Sequence, residues 1–175
     1  MRKILFLLII LVGTLQSNAN EFRSTEECVR FIKEKESFSP KAYWDGNGYS
    51  IGYGHHGKSV KRGDVISQKE ALMRLRKDIK TAEFYVNHLI KKLPYKYKFS
   101  KGFIDGFTSF VYNVGVGNAE KSLFYKRLKK CRVINGYMNP SDFHHAITAI
   151  KVSCVKQKGH ISRREGEYKL MKKFV

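Results

Sequence analysis

The sequence predicts an α+β fold, mainly helical, in which a small N-terminal β-hairpin lobe is joined by a long helix to a helical C-terminal lobe. Three patterns carry this. Two short strand-like segments flank Gly46-Asn47-Gly48; a stripe of Leu72, Leu75, Ile79, Val86, Leu89 and Leu93 runs until Pro94; and a strongly apolar helical face follows Ser100. At 175 residues the chain suits one compact domain, or two small lobes sharing a core.

The elements follow in order. Arg2-Lys3, an apolar stretch from Ile4 to Leu15 and the small-x-small sequence Ser17-Asn18-Ala19 have the layout of a secretory signal. The stretch is short for a bilayer span, but the residues leave two readings open, cleavage after Ala19 or a retained signal anchor. The expected domains are therefore a signal segment over 1–19 and a folded domain over 20–175. Within the latter, about 37–66 forms the β-containing lobe, 68–93 the connecting helix and 100–175 the helical lobe.

Ser24 with Glu27 has capping-box spacing and opens a first helix through Cys28, Val29, Phe31 and Ile32. Its pattern fades so that Glu36 sits at or just past the helix end. Ala42–Asp45 and Tyr49–Tyr53 read as strands, with Tyr49, Ile51 and Tyr53 on one face and Ser50 on the other. Ser67 with Glu70 caps the long helix. Phe103, Ile104, Phe107, Phe110, Val111 and Val114 make the next helix a core element, ended by Gly115-Val116-Gly117. Shorter helices are expected over Lys121–Lys130 and Pro140–Ile150, and Ser162 with Glu165 is expected to cap a closing helix to about residue 173.

Lys and Arg number 34 against 15 Asp and Glu, a formal net charge of +19. Losing Arg2 and Lys3 with the signal takes two from that figure and leaves +17. Such charge points to a polyanionic partner, and export favours a cell-envelope target over chromosomal DNA. The odd number of cysteines, Cys28, Cys131 and Cys154, permits at most one internal bridge, with Cys131–Cys154 a possible pair and small buried hydrophobes the plainer reading.

Chemistry concentrates in Glu36 at a helix end, Asp45 nine residues later on the first strand, and Ser50 on the second. Glycosidic cleavage needs one protonated carboxyl for the leaving oxygen and a second, ionised one to activate water or attack the anomeric carbon. A helix terminus and a hairpin bordering one cleft can hold the two in different environments. Two solvated surface acids would satisfy the same spacing.

Other patterns have plainer readings. Gly52-Tyr53-Gly54-His55-His56-Gly57 spells a dinucleotide-type glycine pattern, but no helix pattern follows it. Adjacent histidines, His55-His56 and His144-His145, point apart in regular structure, so no metal site is expected; for the second pair one ring is expected partly buried and one exposed. Tyr95, Tyr97 and Phe99 interleaved with Lys96 and Lys98 suit single-stranded nucleic acid, though a solvated loop explains them as well. The Lys126–Arg132 cluster reads as a solvated helix face that also draws the protein to anionic wall.

Phe31–Phe38, Lys41–Asp45 and Ser50-Ile51-Gly52-Tyr53-Gly54-His55 together resemble the catalytic block of the phage-type lysozymes, glycoside hydrolase family 24. In that family a Glu ends the first helix, an Asp lies nine residues on, and a Thr begins a T-I-G-Y-G-H strand. Phe110–Gly117 is similar to the family's central-helix motif and Gly159–Glu165 to its closing motif, so the resemblance runs from about residue 25 to 172.

The resemblance implies Glu36 as general acid and Asp45 as the carboxylate that activates water, with Ser50 in the place of the water-holding Thr. It implies His55 as structural support, and His56, Tyr112 and Ser122 as saccharide contacts. The implied activity is hydrolysis of the β-1,4 bond between N-acetylmuramic acid and N-acetylglucosamine in peptidoglycan, with inversion and a carboxyl separation of roughly 6.5–9.5 Å. No metal, nucleotide or other cofactor and no nucleic-acid partner is implied, and a monomer is expected, exported to the periplasm or beyond.

Two departures from the family pattern stand out. Ser replaces Thr, which loses the methyl and its χ1 stiffness, and Ser50 follows Asp45 by five positions where six is usual. They motivate one alternative, a cationic wall-binding protein with a weakened site. An exported nucleic-acid-binding module and a lytic transglycosylase are the others.

Overall fold

A computed structural model of the chain describes residues 21–94, 97–135, 137–156 and 158–173. The expected signal segment over 1–19, and Tyr95 and Lys96 of the aromatic–lysine run, lie outside the described residues. Among the described residues, no helix is long and apolar enough to cross a membrane.

The first helix, α1, spans Glu26–Glu36. Its N-cap is Thr25 rather than Ser24: Thr25 Oγ1 accepts from the Glu27 amide at 3.1 Å. Ser24 is taken by tertiary structure, since its amide and hydroxyl both donate to the Glu83 carboxylate at 2.7 Å. Thr25 likewise donates through its amide and hydroxyl to the buried Asp105, each at 2.6 Å. Asn87 clasps the backbone of Phe22 through both amide atoms at 2.8 Å. Three buried polar side chains thus fix the entry to α1. The helix stops at Ser37, whose φ of 58° few side chains adopt.

The chain then forms a three-stranded antiparallel sheet of β1 (Ser39–Trp44), β2 (Tyr49–Gly52) and β3 (His55–His56) in that order. Tyr43 pairs with Ser50 and Trp44 with Tyr49, with a bulge earlier in β1. The third strand escapes sequence reading because two residues show no periodicity. Ser50, Ile51 and Gly52 are all buried, so β2 is covered on both faces rather than one. Ile51 packs in an apolar cluster with Cys28, Ile32, Leu75 and Ile79.

Helix α2 spans Gln68–Lys91 behind its expected cap, Ser67, and α3 spans Lys101–Val114 behind Ser100. A second, larger apolar cluster gathers Val86 and Leu89 of α2 with Phe103, Phe107 and Phe110 of α3. Where one helix was expected over Lys121–Lys130, two occur: α4, Val116–Lys121, and α5, Leu123–Leu128. Ser122 divides them, with an extended backbone and a hydroxyl that accepts from the Tyr125 amide at 3.1 Å.

A small hairpin follows, β4 (Val133–Ile134) and β5 (Tyr137–Met138), then α6 (Pro140–Thr148) and a 3-10 turn over Ala149–Val152. His144 and His145 are both exposed, against the expectation of one partly buried ring. The closing helix α7, Lys158–Lys172, begins four residues before Ser162, so Ser162 lies inside it and caps nothing. No disulfide joins the three cysteines, and the possible Cys131–Cys154 bridge is absent. Cys28 is buried against the Asp105 carbonyl, to which its thiol donates at 3.5 Å, and burial pushes that thiol's pKa up.

Candidate active site

Glu36 is the last residue of α1 and half-buried. Its Oε1 is held by Arg163 Nη1 of α7, whose side chain is only 5% exposed. Its Oε2 faces Gly54 in the turn between β2 and β3. Gly54 has φ of +80°, and a Cβ there would stand 3.1 Å from that oxygen. Glycine therefore answers both the turn and the close approach of the acid.

Arg163 belongs to a buried network. Its Nε donates to Glu167 Oε1 at 3.3 Å, and Ser109 of α3 donates to the same oxygen at 2.9 Å. Arg164 pairs with Glu167 Oε2, reaches Asn113 Oδ1, and stacks its guanidinium 4.7 Å from the Phe110 ring centroid. Burial pushes the Glu167 carboxyl up, while the two guanidiniums and Ser109 pull it down. The acid at the end of the first helix is thus gripped by the last one, through a charge cluster that α3 and α7 share.

Asp45 follows β1 directly, and its amide donates to Gly48 O at 3.0 Å to close the hairpin turn. Ser50 on β2 donates to Asp45 Oδ2 at 2.5 Å. His56 on β3 completes the group, with Nδ1 3.2 Å from Ser50 Oγ and 3.3 Å from Asp45 Oδ2. Asp45 is held below the ordinary carboxylate range, chiefly by the Ser50 hydroxyl, with the Asn47 amide and His56 adding to it and desolvation opposing them. Asp45 is therefore an anion at neutral pH. Tyr43, half exposed beside this group, has its phenol pushed up first by burial and then by the negative charges of Glu36 and Asp45. Both carboxylates thus act on one ring.

A cleft of about 410 Å³ is lined by Glu36, Gly54, His56, Asp78, Tyr112 and Asn113, among others. Tyr112 donates to the Tyr53 carbonyl at 2.7 Å, which ties α3 to the sheet and leaves the ring on the cleft wall. Asp45 and Ser50 are not lining residues; they meet the cleft through His56. His55 lies 2.7 Å through Nδ1 from Asp78 Oδ2 of α2, a cross-link under the cleft. Ser122 is elsewhere. It is 5% exposed, its hydroxyl donates to Ala119 O at 2.7 Å and caps α5, and it is absent from the cleft lining.

Arg163, Asp78 and Asn113 were not picked out from the sequence. Arg163 falls within the closing motif, but an arginine in a chain of this charge reads as solvated surface. Only the invasion of α3's buried Ser109 and Asp105 polar positions into an otherwise apolar helix hinted that charge goes inside.

The phage lysozyme family model matches residues 33–167. An endolysin of Bacillus phage B103 is 30% identical over 146 residues, 79% of this chain and 50% of that protein. An endolysin of Bacillus phage PZA is 34% identical over 107 residues, 59% of this chain and 40% of that protein. The chain thus spans half or less of the length of these relatives. An endolysin from Escherichia coli O157:H7 phage FAHEc1 superposes with a TM-score of 0.68 at 25% identity, covering 89% of this chain and 97% of that one. The span of the family model takes in Glu36 at the end of α1, the sheet and the arginine pair of α7, and the chain belongs to the phage lysozyme family.

Proposed function

We propose that this protein is an exported muramidase that hydrolyses the β-1,4 bond between N-acetylmuramic acid and N-acetylglucosamine in bacterial peptidoglycan. The observation that carries the reading is the contrast between its two carboxyls, one on the cleft wall and the other joined to the cleft through His56. Glu36 offers Oε2 to the cleft while Arg163 holds Oε1, and Asp45 stands as an anion bound to Ser50 and His56. Glu36 donates its proton to the leaving glycosidic oxygen. Asp45 takes a proton from the water that attacks the anomeric carbon from the other face, so the product forms with inversion.

Family membership supports the reaction class, and the preserved Asp45–Ser50 contact supports an active site rather than a decayed one. The hairpin is one residue shorter than the family pattern, yet the hydroxyl still reaches the carboxylate at 2.5 Å. Tyr112 and His56 present their rings to the sugar chain, and His55 holds β3 to α2. Export through residues 1–19 places the enzyme on the wall side of the membrane, where its positive charge meets an anionic envelope.

Purified protein, freed of residues 1–19, should clear a suspension of bacterial cell walls and release reducing ends. Glu36→Gln keeps the side chain's shape but has no acidic proton, and should lose at least a hundredfold in rate. Equal clearing by both proteins, or anhydro-muramic ends in the products, overturns the assignment.

A further inference from the structure

Ser50 is 2% exposed and stands directly across the β2–β3 ladder from His56. Its hydroxyl carries one proton. Ionised Asp45 has none to give, so that proton lies in the 2.5 Å contact to Oδ2. The remaining 3.2 Å contact between Ser50 Oγ and His56 Nδ1 is then a hydrogen bond only if Nδ1 carries a proton. The same N–H lies 3.3 Å from Asp45 Oδ2 and is shared between the two oxygens.

A serine in this position lacks the methyl group that confines a threonine's χ1. Two partners confine it instead, a carboxylate and an imidazole that also touch each other and close a triangle with the hydroxyl. We propose that His56 is a positioning residue, whose Nδ1–H pins the Ser50 hydroxyl in the rotamer that holds Asp45, supplying the constraint that a β-methyl would otherwise give. The proposal rests on the muramidase reading for its catalytic meaning and on the three contacts alone for its structural content. It assigns His56 a duty beyond touching sugar: the imidazole sets the direction in which Asp45 points its basic oxygen.

Two measurements on the folded chain test this. Long-range proton–nitrogen NMR at pH 8, where an ordinary imidazole is neutral, should show His56 protonated on Nδ1, the minor form of a free imidazole. Ser50→Ala should lower the Nδ1-protonated fraction, the Asp45 carboxylate at 3.3 Å being the acceptor that remains. In wall-hydrolysis kinetics, His56→Ala should lower kcat about tenfold, apart from any rise in KM from the lost sugar contact. Adding Ser50→Thr to His56→Ala should raise kcat at least fivefold, a larger gain than the same change gives in the native background.

A native His56 protonated on Nε2 overturns the proposal. So does a His56→Ala protein with raised KM and retained kcat, which makes the ring a saccharide contact only. If the NMR result holds while the native protein releases no glycan ends, the muramidase reading falls and the serine bracket stands.

Discussion

Asp45 shows how little of a reactive group's behaviour is its own. Its low pKa comes first from one hydroxyl, Ser50, and the group is nearly solvent-exposed otherwise. A carboxyl whose pKa is depressed in the folded protein stays ionised to lower pH, so with Asp45 as the proposed base the acid limb of activity should lie below the ordinary Asp range. Ser50→Ala removes the largest stabiliser of the anion. The acid limb should then move to higher pH, with a plateau rate reduced about tenfold, as read from a pH profile of wall clearing between pH 3 and 7. An unmoved limb would mean that Asp45 does not set it. At this scale the placement of Glu36 at a helix end, with Asp45 and Ser50 on one hairpin, was legible, while the roles proposed for them come from the resemblance to the family, because two surface acids satisfy the same spacing. Arg163 was not legible, because its partner lies far along the chain and its burial depends on Ser109 and Glu167 meeting it.

Among the elements, the contact between α3 and α7 bears the most on the site, because α7 carries Arg163 and α3 carries Tyr112. It is close because Gly106 faces α7. A Cβ there would meet the Glu167 carbonyl oxygen at 2.7 Å and Met171 Cγ at 2.6 Å. The methionine can swing away, but a helix carbonyl cannot without moving the helix. Alanine gains about 1 kcal/mol of helix propensity over glycine, and overpacking costs about 1–3 kcal/mol. We expect the clash to win, with Gly106→Ala lowering Tm by about 2–8 °C in a thermal melt and lowering activity as Arg163 withdraws. A raised Tm would show that α7 yields freely. The long helices α2 and α3 were legible from hydrophobic period and serine caps. The start of α7 was not, since its inward face holds Arg163, Arg164 and Glu167, which invert the pattern on which such reading depends. Likewise Ser24 has the right spacing for a cap and loses it to Thr25, because Glu83 claims its hydroxyl from 59 positions away.

For the molecule as a whole the net charge is +19, and among the described residues charged side chains sit mainly on the surface, while a few are taken inside and paired. Exposed charge acts at a distance and is screened over about 8 Å at 0.15 M salt. Clearing of whole cell walls should therefore slow severalfold between 20 and 300 mM sodium chloride. Cleavage of a short soluble glycan bearing no anionic polymer should change by less than twofold. Equal salt sensitivity on both substrates would locate the effect in the site rather than in the approach to the wall. The fold class was legible at this scale because α/β patterning and length leave few architectures; the route by which distant segments close the site was not.

Arg163 and Glu36 stand 127 positions apart, and α7 is the final helix among the described residues. A chain emerges from the ribosome N-terminus first, so the acid is made long before the guanidinium that grips it. Until α7 is made, Glu36 has no Arg163 to hold it, and closing so long a loop is slow relative to local folding. The order of manufacture thus withholds a complete site until α7 has been made. A nascent or truncated copy carries both carboxyls and the cleft's sheet wall, but not the arm that fixes the first of them in place.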